Sequence, residues 1–261
     1  MSAFGERYGP WALVAGASAG LGETFARLLA ARGLHLVLIA RREDVLAQLA
    51  GDLRDAHGIE VRTEALDLGR ADLVPAVEHA VAGVEVGLLV YNAAHSAIGP
   101  FLERPLDEHL RVIDVNCRGP LALAHLLGAP MAARGRGGVV LMSSLSGSQG
   151  NPLLASYAAS KAFGLVLAEG LWDELRGRGV DVVACRAGAT RTPGWEASRP
   201  KRRVPLLEPE QVAREALDAL GHGPTVVTGA LNRMASFAFT RLLPRTASIR
   251  IMGRATRRLY G

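Results

Sequence analysis

The sequence predicts an α/β chain: a doubly wound parallel sheet with helices on both faces and a helical extension at the C-terminal side. Three observations carry this. Short apolar runs bounded by turns alternate with longer segments of helical period from residue 11 to residue 228. The runs "LHLVLIA", "VGLLVY", "GVVLMS" and "VDVVAC" lack the apolar–polar alternation of a half-exposed strand, as strands buried on both faces require. The length, 261 residues, suits a single α/β domain, which commonly reaches about 250 residues.

Residues 11–15 read as the first strand, closed by a glycine turn. Residues 20–32 are a helix with Leu21, Phe25, Leu28 and Leu29 on one face. Strand 34–40 leads into helix 43–57. Residues 59–66 alternate as a strand, 70–82 form a helix, and 86–91 form a buried strand. A long helix covers about 106–134, in which Gly119-Pro120 allows a break, because proline lacks an N–H. Strand 138–143, helix 155–178 and strand 180–185 follow. A Pro- and Arg-rich loop then precedes helix 209–220 and a short strand at 225–228. Strand–helix–strand units with right-handed crossovers stack into one parallel sheet. Residues 1–230 form the expected domain, with a substrate lid at about 189–208, and residues 231–261 form a basic extension.

Hydrophobic residues make up 49% and aromatics only 5%, so the core is mainly Ala, Val and Leu. Cys117 and Cys185 lie in apolar stretches, which implies no disulfide framework and suits the cytoplasm. There is no charged-then-apolar leader and no run of about 18 apolar residues. Of 30 basic residues only Lys161 and Lys201 are lysine, so the net charge of +5 reflects arginine usage. No nucleic-acid motif accompanies it, and no nucleic-acid partner is expected. His95 and His109 show no metal-ligand spacing, so no metal is expected.

The stretch "GASAGLG" joins the first strand to the first helix. Gly16, Gly20 and Gly22 allow a tight turn and a bare backbone against which a pyrophosphate can sit, at a helix N-terminus that favours anions. Read alone, the turn serves equally as a plain strand–helix junction. Its place after the first strand points to a dinucleotide. The second strand then ends in "IARRE", with no acid before Glu43 to hold a ribose 2′-hydroxyl. Arg41 and Arg42 suit a 2′-phosphate instead, by charge and by bidentate hydrogen bonding. The cofactor read from this end is NADP(H).

In "YAASK", Tyr157 and Lys161 are four apart, one turn apart on one helix face. Alone this reads as a lysine stem beside a half-buried tyrosine. With the other motifs the chain resembles the short-chain dehydrogenase/reductase superfamily over about residues 9–230, a Rossmann-like fold, and most of all its branch with hydroxysteroid dehydrogenases and long-chain 3-oxoacyl-CoA reductases. The Gly16-x-x-x-Gly20-x-Gly22 turn, "LDL" with Asp67, "YNAA" with Asn92 and Ala93, "DVNCRGP" with Asn116, "SSLSG", "YAASK" and Thr192, four after Gly188, carry the likeness. Departures are Ala15 for a threonine, Tyr91 for an asparagine, Ala94 for a glycine and Ala187 for a proline.

The resemblance implies a ketone–alcohol oxidoreductase. It makes Tyr157 the general acid or base, Ser144 (thirteen before it, with Gly147 in S-x-x-G) the hydroxyl on the developing oxyanion, Lys161 the group that tunes Tyr157 and holds the nicotinamide ribose, and Asn116 the holder of a relay water. Gly16, Ser18, Ala19, Gly20, Leu21, Gly22, Arg41, Arg42, Asp67, Leu68, Asn92, Ala93, Gly188, Thr190 and Thr192 join Tyr157 and Lys161 in binding the cofactor. A phenol has a reference pKa of about 10, so Lys161, the nicotinamide ring and Ser144 together have to bring it toward 7. The segments after Asn92, Ser144 and Gly188 offer Ile98, Phe101, Leu145, Leu153, Leu154 and Trp195 as an apolar slot for a lipid-like, acyl or ring substrate. The run Lys201–Arg203 reads as a solvated lid or as a contact for an anionic handle. The resemblance also implies a homodimer, with a tetramer as the alternative, built on helices 106–134 and 155–178 through Ala155, Ala158, Ala159 and Ala162. Two other readings are a non-catalytic NADP(H)-binding sensor and an isomerase or dehydratase on the same fold. On a helical wheel over 250–260, Arg250, Arg254, Arg257 and Arg258 oppose Ile251, Met252, Ala255 and Leu259, a pattern for covering the slot, packing on a partner subunit or touching an anionic membrane.

Overall fold

The structure, a computed structural model, describes residues 3–261. Helix α1 (Ala3–Tyr8) precedes β1 (Trp11–Ala15), α2 (Gly20–Ala31), β2 (His35–Ala40), α3 (Glu43–His57), β3 (Val61–Ala65), α4 (Leu73–Ala80) and β4 (Val86–Tyr91). Then come α5 (Leu106–Ile113), α6 (Gly119–Arg134), β5 (Gly137–Ser144), α7 (Ala155–Arg176) and β6 (Val180–Ala187). A short α8 (Pro193–Ala197), α9 (Pro209–Asp218), β7 (Thr225–Val227), α10 (Ala230–Phe237) and α11 (Arg245–Tyr260) complete the chain.

The seven strands form one parallel sheet in the order β3-β2-β1-β4-β5-β6-β7. Strand side chains alternate between two buried layers. Ala12, Val14, Leu36, Leu38, Val90 and Val183 pack with Phe25, Leu29, Leu46 and Leu217 from α2, α3 and α9. Leu13, Val37, Ile39, Leu89 and Val182 pack with Val77, Leu123, Leu127 and Ala168 from α4, α6 and α7. The apolar runs of the sequence are continuous because both faces of the sheet are covered. Strand order reverses between β1 and β4, and a crevice for ligands opens beyond the C-terminal ends of strands at such a point. Register fixes its floor: Ala15 lies beside Ile39 and Tyr91, so Gly16 and Asn92 leave the sheet level with Ala40, the last residue of β2.

The break that Gly119-Pro120 allows is absent. Residues Asp114–Arg118 instead form a wide π turn that joins α5 to α6. Pro120 falls in the first turn of α6, where a missing N–H is tolerated. The extension also differs from its helical wheel. The buried positions of α11 are Ser248, Gly253 and Thr256, while Ile251 is 41% exposed and Ala255 lies outside. Hydrogen bonding decides the face. Ser248 Oγ donates to Phe239 O at 2.9 Å, Thr256 Oγ1 donates to Asn151 Oδ1 at 2.5 Å, and a Cβ on Gly253 would lie 3.0 Å from Pro152. Among the described residues no helix is long and apolar enough to cross a membrane.

Candidate active site

The glycine turn lies at the floor of the crevice. Gly16 (φ 88°) and Gly20 (φ 55°) occupy the left-handed region that glycine favours. A Cβ on Gly16 would come within 2.7 Å of Ala93 N, and one on Gly22 would strike the Gly16 carbonyl. Asn92 Nδ2 donates to Gly16 O at 3.0 Å and holds the turn against β4. No side chain caps α2 at Ala19, so its first N–H groups are free to meet an anion. Arg42, exposed, donates to Ser18 O at 2.8 Å and so reaches across the turn; Arg41 is exposed beside it. Asp67 accepts from Arg111 at 2.8 Å and from Gly69 N at 2.9 Å, while Leu68 is buried. Burial works against the Asp67 charge, but these bonds hold its carboxyl below the usual range. Thr192 packs beside Gly20, and its Oγ1 caps α8 by accepting from Trp195 N. Thr190 is buried and donates to Gly188 O. A bare backbone, an uncapped helix start and two arginines fit a phosphate-rich dinucleotide.

Asn116 lies in the wide turn and is 4% exposed. Its Oδ1 accepts from His95 N at 2.7 Å, and its Nδ2 donates to His95 O at 2.8 Å and to Ser160 Oγ at 2.9 Å. Ser160 Oγ donates in turn to Tyr157 O at 2.8 Å, so Asn116 is tied to the helix of the tyrosine. Tyr91 explains the wide turn. Gly119 N–H donates to Asp114 O, not Val115 O, and Pro120 has no N–H to offer. The freed Val115 carbonyl accepts from Tyr91 Oη at 2.6 Å. A Cβ on Gly119 would collide with that hydroxyl. Burial pushes the Tyr91 phenol up, so it stays a donor. Sequence reasoning listed Tyr91 only as a departure, and it missed the His95 backbone and Ser160.

Ser144 ends β5, and Tyr157 and Lys161 stand on α7. Gly147 is needed because a Cβ there would be 2.7 Å from the Lys161 carbonyl carbon. Ser143 is buried and donates to Lys161 O at 2.7 Å, which leaves Ser144 for the crevice. Lys161 is 6% exposed; its Nζ donates to Met142 O at 2.7 Å and stands 5.6 Å from the Tyr157 ring centroid. Burial pushes the Lys161 ammonium down to about 8. The Tyr157 phenol goes up in the chain by itself: burial raises it, a Ser144 hydrogen bond opposes, and Tyr260 adds to the rise. The expected fall toward 7 rested on Lys161 first, with a nicotinamide ring and Ser144 adding to it; in the chain by itself only the Ser144 hydrogen bond lowers the phenol, and it does not offset burial.

Three segments carry the apolar side chains expected at the substrate slot. Leu145, Leu153 and Leu154 follow Ser144; Leu153 has φ 65° and its carbonyl accepts from Gly99 N at 2.9 Å. Trp195 is half-buried on α8, whereas Phe101 is 52% exposed and stacks on His109 at 4.4 Å. From α11, Tyr260 Oη lies 3.5 Å from Ser198 Oγ. Lys201 N donates to Leu259 O at 2.8 Å, and Lys201 Nζ bonds to Gly261 O. Lys201 is therefore engaged with the extension, while Arg202 and Arg203 are exposed.

Residues 10–203 match the short chain dehydrogenase family. The chain is 32% identical to a 7beta-hydroxysteroid dehydrogenase of Collinsella aerofaciens, over 87% of this chain and 89% of that protein. It is 35% identical to a very-long-chain 3-oxoacyl-CoA reductase of Phaeosphaeria nodorum, over 85% of this chain but 66% of that longer protein. A structure solved to explain 7beta-hydroxysteroid dehydrogenase stereoselectivity superposes with a TM-score of 0.90 at 31% identity, covering 96% of this chain and 99% of that one. With its parallel sheet, glycine turn and tyrosine–lysine helix, the chain belongs to the short-chain dehydrogenase family.

Proposed function

We propose that the protein is an NADP(H)-dependent oxidoreductase that interconverts a ketone and a secondary alcohol on an apolar substrate, lipid-like, acyl or ring in form. The observation that carries this is the meeting of Ser144, Tyr157 and the buried Lys161 beside the crevice of the glycine turn. A dinucleotide held at the glycine turn would supply the hydride for the carbonyl carbon, or accept it in reverse. Tyr157 gives its phenolic proton to the carbonyl oxygen and takes it back in oxidation. Ser144 donates to that oxygen as charge develops. Lys161, charged below about pH 8, stabilises the tyrosinate, and Asn116 ties the π turn to the tyrosine helix. Arg41 and Arg42 hold the 2′-phosphate. The apolar side chains after Asn92, Ser144 and Gly188, and relatives whose names are those of a steroid and an acyl-CoA enzyme, support the substrate class.

The test is a panel of ketones and alcohols with both reduced cofactors, followed by nicotinamide absorbance. Wild type turns over and prefers NADPH by about one to two orders of magnitude, since charge-assisted bonds contribute about 1.5–3 kcal/mol each. Tyr157→Phe loses turnover and keeps NADPH binding. Arg41→Ala with Arg42→Ala loses most of the preference. Full activity in Tyr157→Phe would end the catalytic reading, and equal use of both cofactors by wild type would end the assignment of the arginines.

A further inference from the structure

Helix α10 and the turn after it leave a ridge of large apolar side chains in solvent. Leu231 is 73% exposed, Met234 70%, Phe237 61% and Leu242 68%. The spacing of three puts the first three on one helix face, and the five-residue π turn Ala238–Leu242 returns Leu242 to it. The other side of this segment is held by the fold. Asn232 Nδ2 donates to Thr228 O, Ser236 is buried, and Phe239 O accepts from Ser248. Arginines flank the ridge: Arg233 precedes Met234, Arg241 precedes Leu242, and Arg245 opens α11. Arg250, Arg254 and Arg258 recur every four residues on the exposed side of α11. No Asp or Glu follows Asp218. Arg233 pairs with Glu215 at 3.0 Å, and among the described residues no ion pair engages Arg241, Arg245, Arg250, Arg254 or Arg258.

We propose that this segment docks the protein on an anionic lipid surface, with Leu231, Met234, Phe237 and Leu242 entering the headgroup–acyl boundary and the arginines meeting lipid phosphates and carboxylates. The chemistry selects that partner. An apolar ridge edged by cations is the pattern of a helix lying in the membrane plane, where apolar burial and attraction to anionic lipid add. A second copy of the chain would bring the same unpaired arginines against themselves, and like charges so placed oppose association. None of the ridge residues or of these arginines belongs to the catalytic set, and the proposal does not depend on the substrate reading.

The experiment is co-sedimentation of the full chain with vesicles of phosphatidylcholine, with and without phosphatidylserine, at low salt and at about 0.15 M, where the Debye length is about 8 Å. Wild type pellets with the anionic vesicles at low salt, less at the higher salt, and not with neutral ones. Leu231→Ser/Met234→Ser/Phe237→Ser and, separately, Arg250→Gln/Arg254→Gln/Arg258→Gln each lower the bound fraction about tenfold. Both variants keep far-UV dichroism and turnover, since every substituted side chain is exposed. No pelleting at low salt, equal pelleting with neutral vesicles, or wild-type binding by the serine variant overturns the proposal. A serine variant that halves the mass seen by light scattering also overturns it, by making the ridge a contact between copies.

Discussion

Lys161 holds its charge where charge is costly. It is 6% exposed and has one carbonyl partner, and burial takes its ammonium from 10.5 down to about 8. At 1.36 kcal/mol per pKa unit this is about 3 kcal/mol against the charged form. The sign gives a prediction. Below pH 8 both native and unfolded chains hold this proton, so it adds no pH dependence. Between pH 8 and 10.5 the unfolded chain keeps a proton that the native chain has lost, so stability contributed at this position rises with pH. Cofactor-free wild type measured against Lys161→Met by urea unfolding should therefore gain up to about 3 kcal/mol across that window. A constant difference would show that the ammonium is not perturbed. The candidates Tyr157, Lys161, Ser144 and Asn116 stand out in the sequence because their motifs are short and local. Tyr260 does not, because its neighbour Ser198 is 62 residues away and nothing near it in sequence marks it.

At the scale of elements, the wide turn between α5 and α6 stands just before Gly119-Pro120, where the sequence allows a break. The strands and most helices were legible because burial on both faces of the sheet leaves an apolar signature. A π turn leaves none of its own; it follows from where Tyr91, 24 residues earlier, sends its hydroxyl. Tyr91 bonds the carbonyl that precedes Asn116, and whether it positions Asn116 can be tested. Tyr91→Phe leaves the Val115 carbonyl buried without a donor, at a cost of about 1–3 kcal/mol. Under the proposed mechanism, kcat should fall several-fold while the KM for NADPH changes little, because the glycine turn is untouched. Gly119→Ala should be more damaging in wild type than in the Tyr91→Phe background, where the colliding hydroxyl is gone. Additive effects on unfolding free energy and kcat would dissolve the pair.

At the scale of the molecule, α5, α6 and α7 carry a second apolar surface. Leu106, Leu110, Ile113, Leu121, Phe163 and Val166 are exposed, and a groove of about 560 Å³ runs along α7 past Ala159, Ala162, Gly170 and Leu171. Of the alanines expected at a helix–helix contact, Ala158 is 2% exposed and packs inward, which leaves Ala155, Ala159 and Ala162 for a partner. Two copies paired on this face should give a dimeric mass by light scattering at micromolar concentration, and Leu110→Glu with Val166→Glu should give a monomer with unchanged dichroism. A monomeric wild type would exclude the pairing. The clasp of α11, through Thr256 on Asn151 and Leu259 on Lys201, also bears on biosynthesis. These residues leave the ribosome after every strand has been made. The sheet and glycine turn can form before α11 emerges, but Tyr260 reaches the neighbourhood of Tyr157 only once α11 has been made. A chain stopped by a premature codon before residue 248 would lack Tyr260, so quality control by turnover on apolar substrate would see a defect that a nucleotide-binding assay would miss.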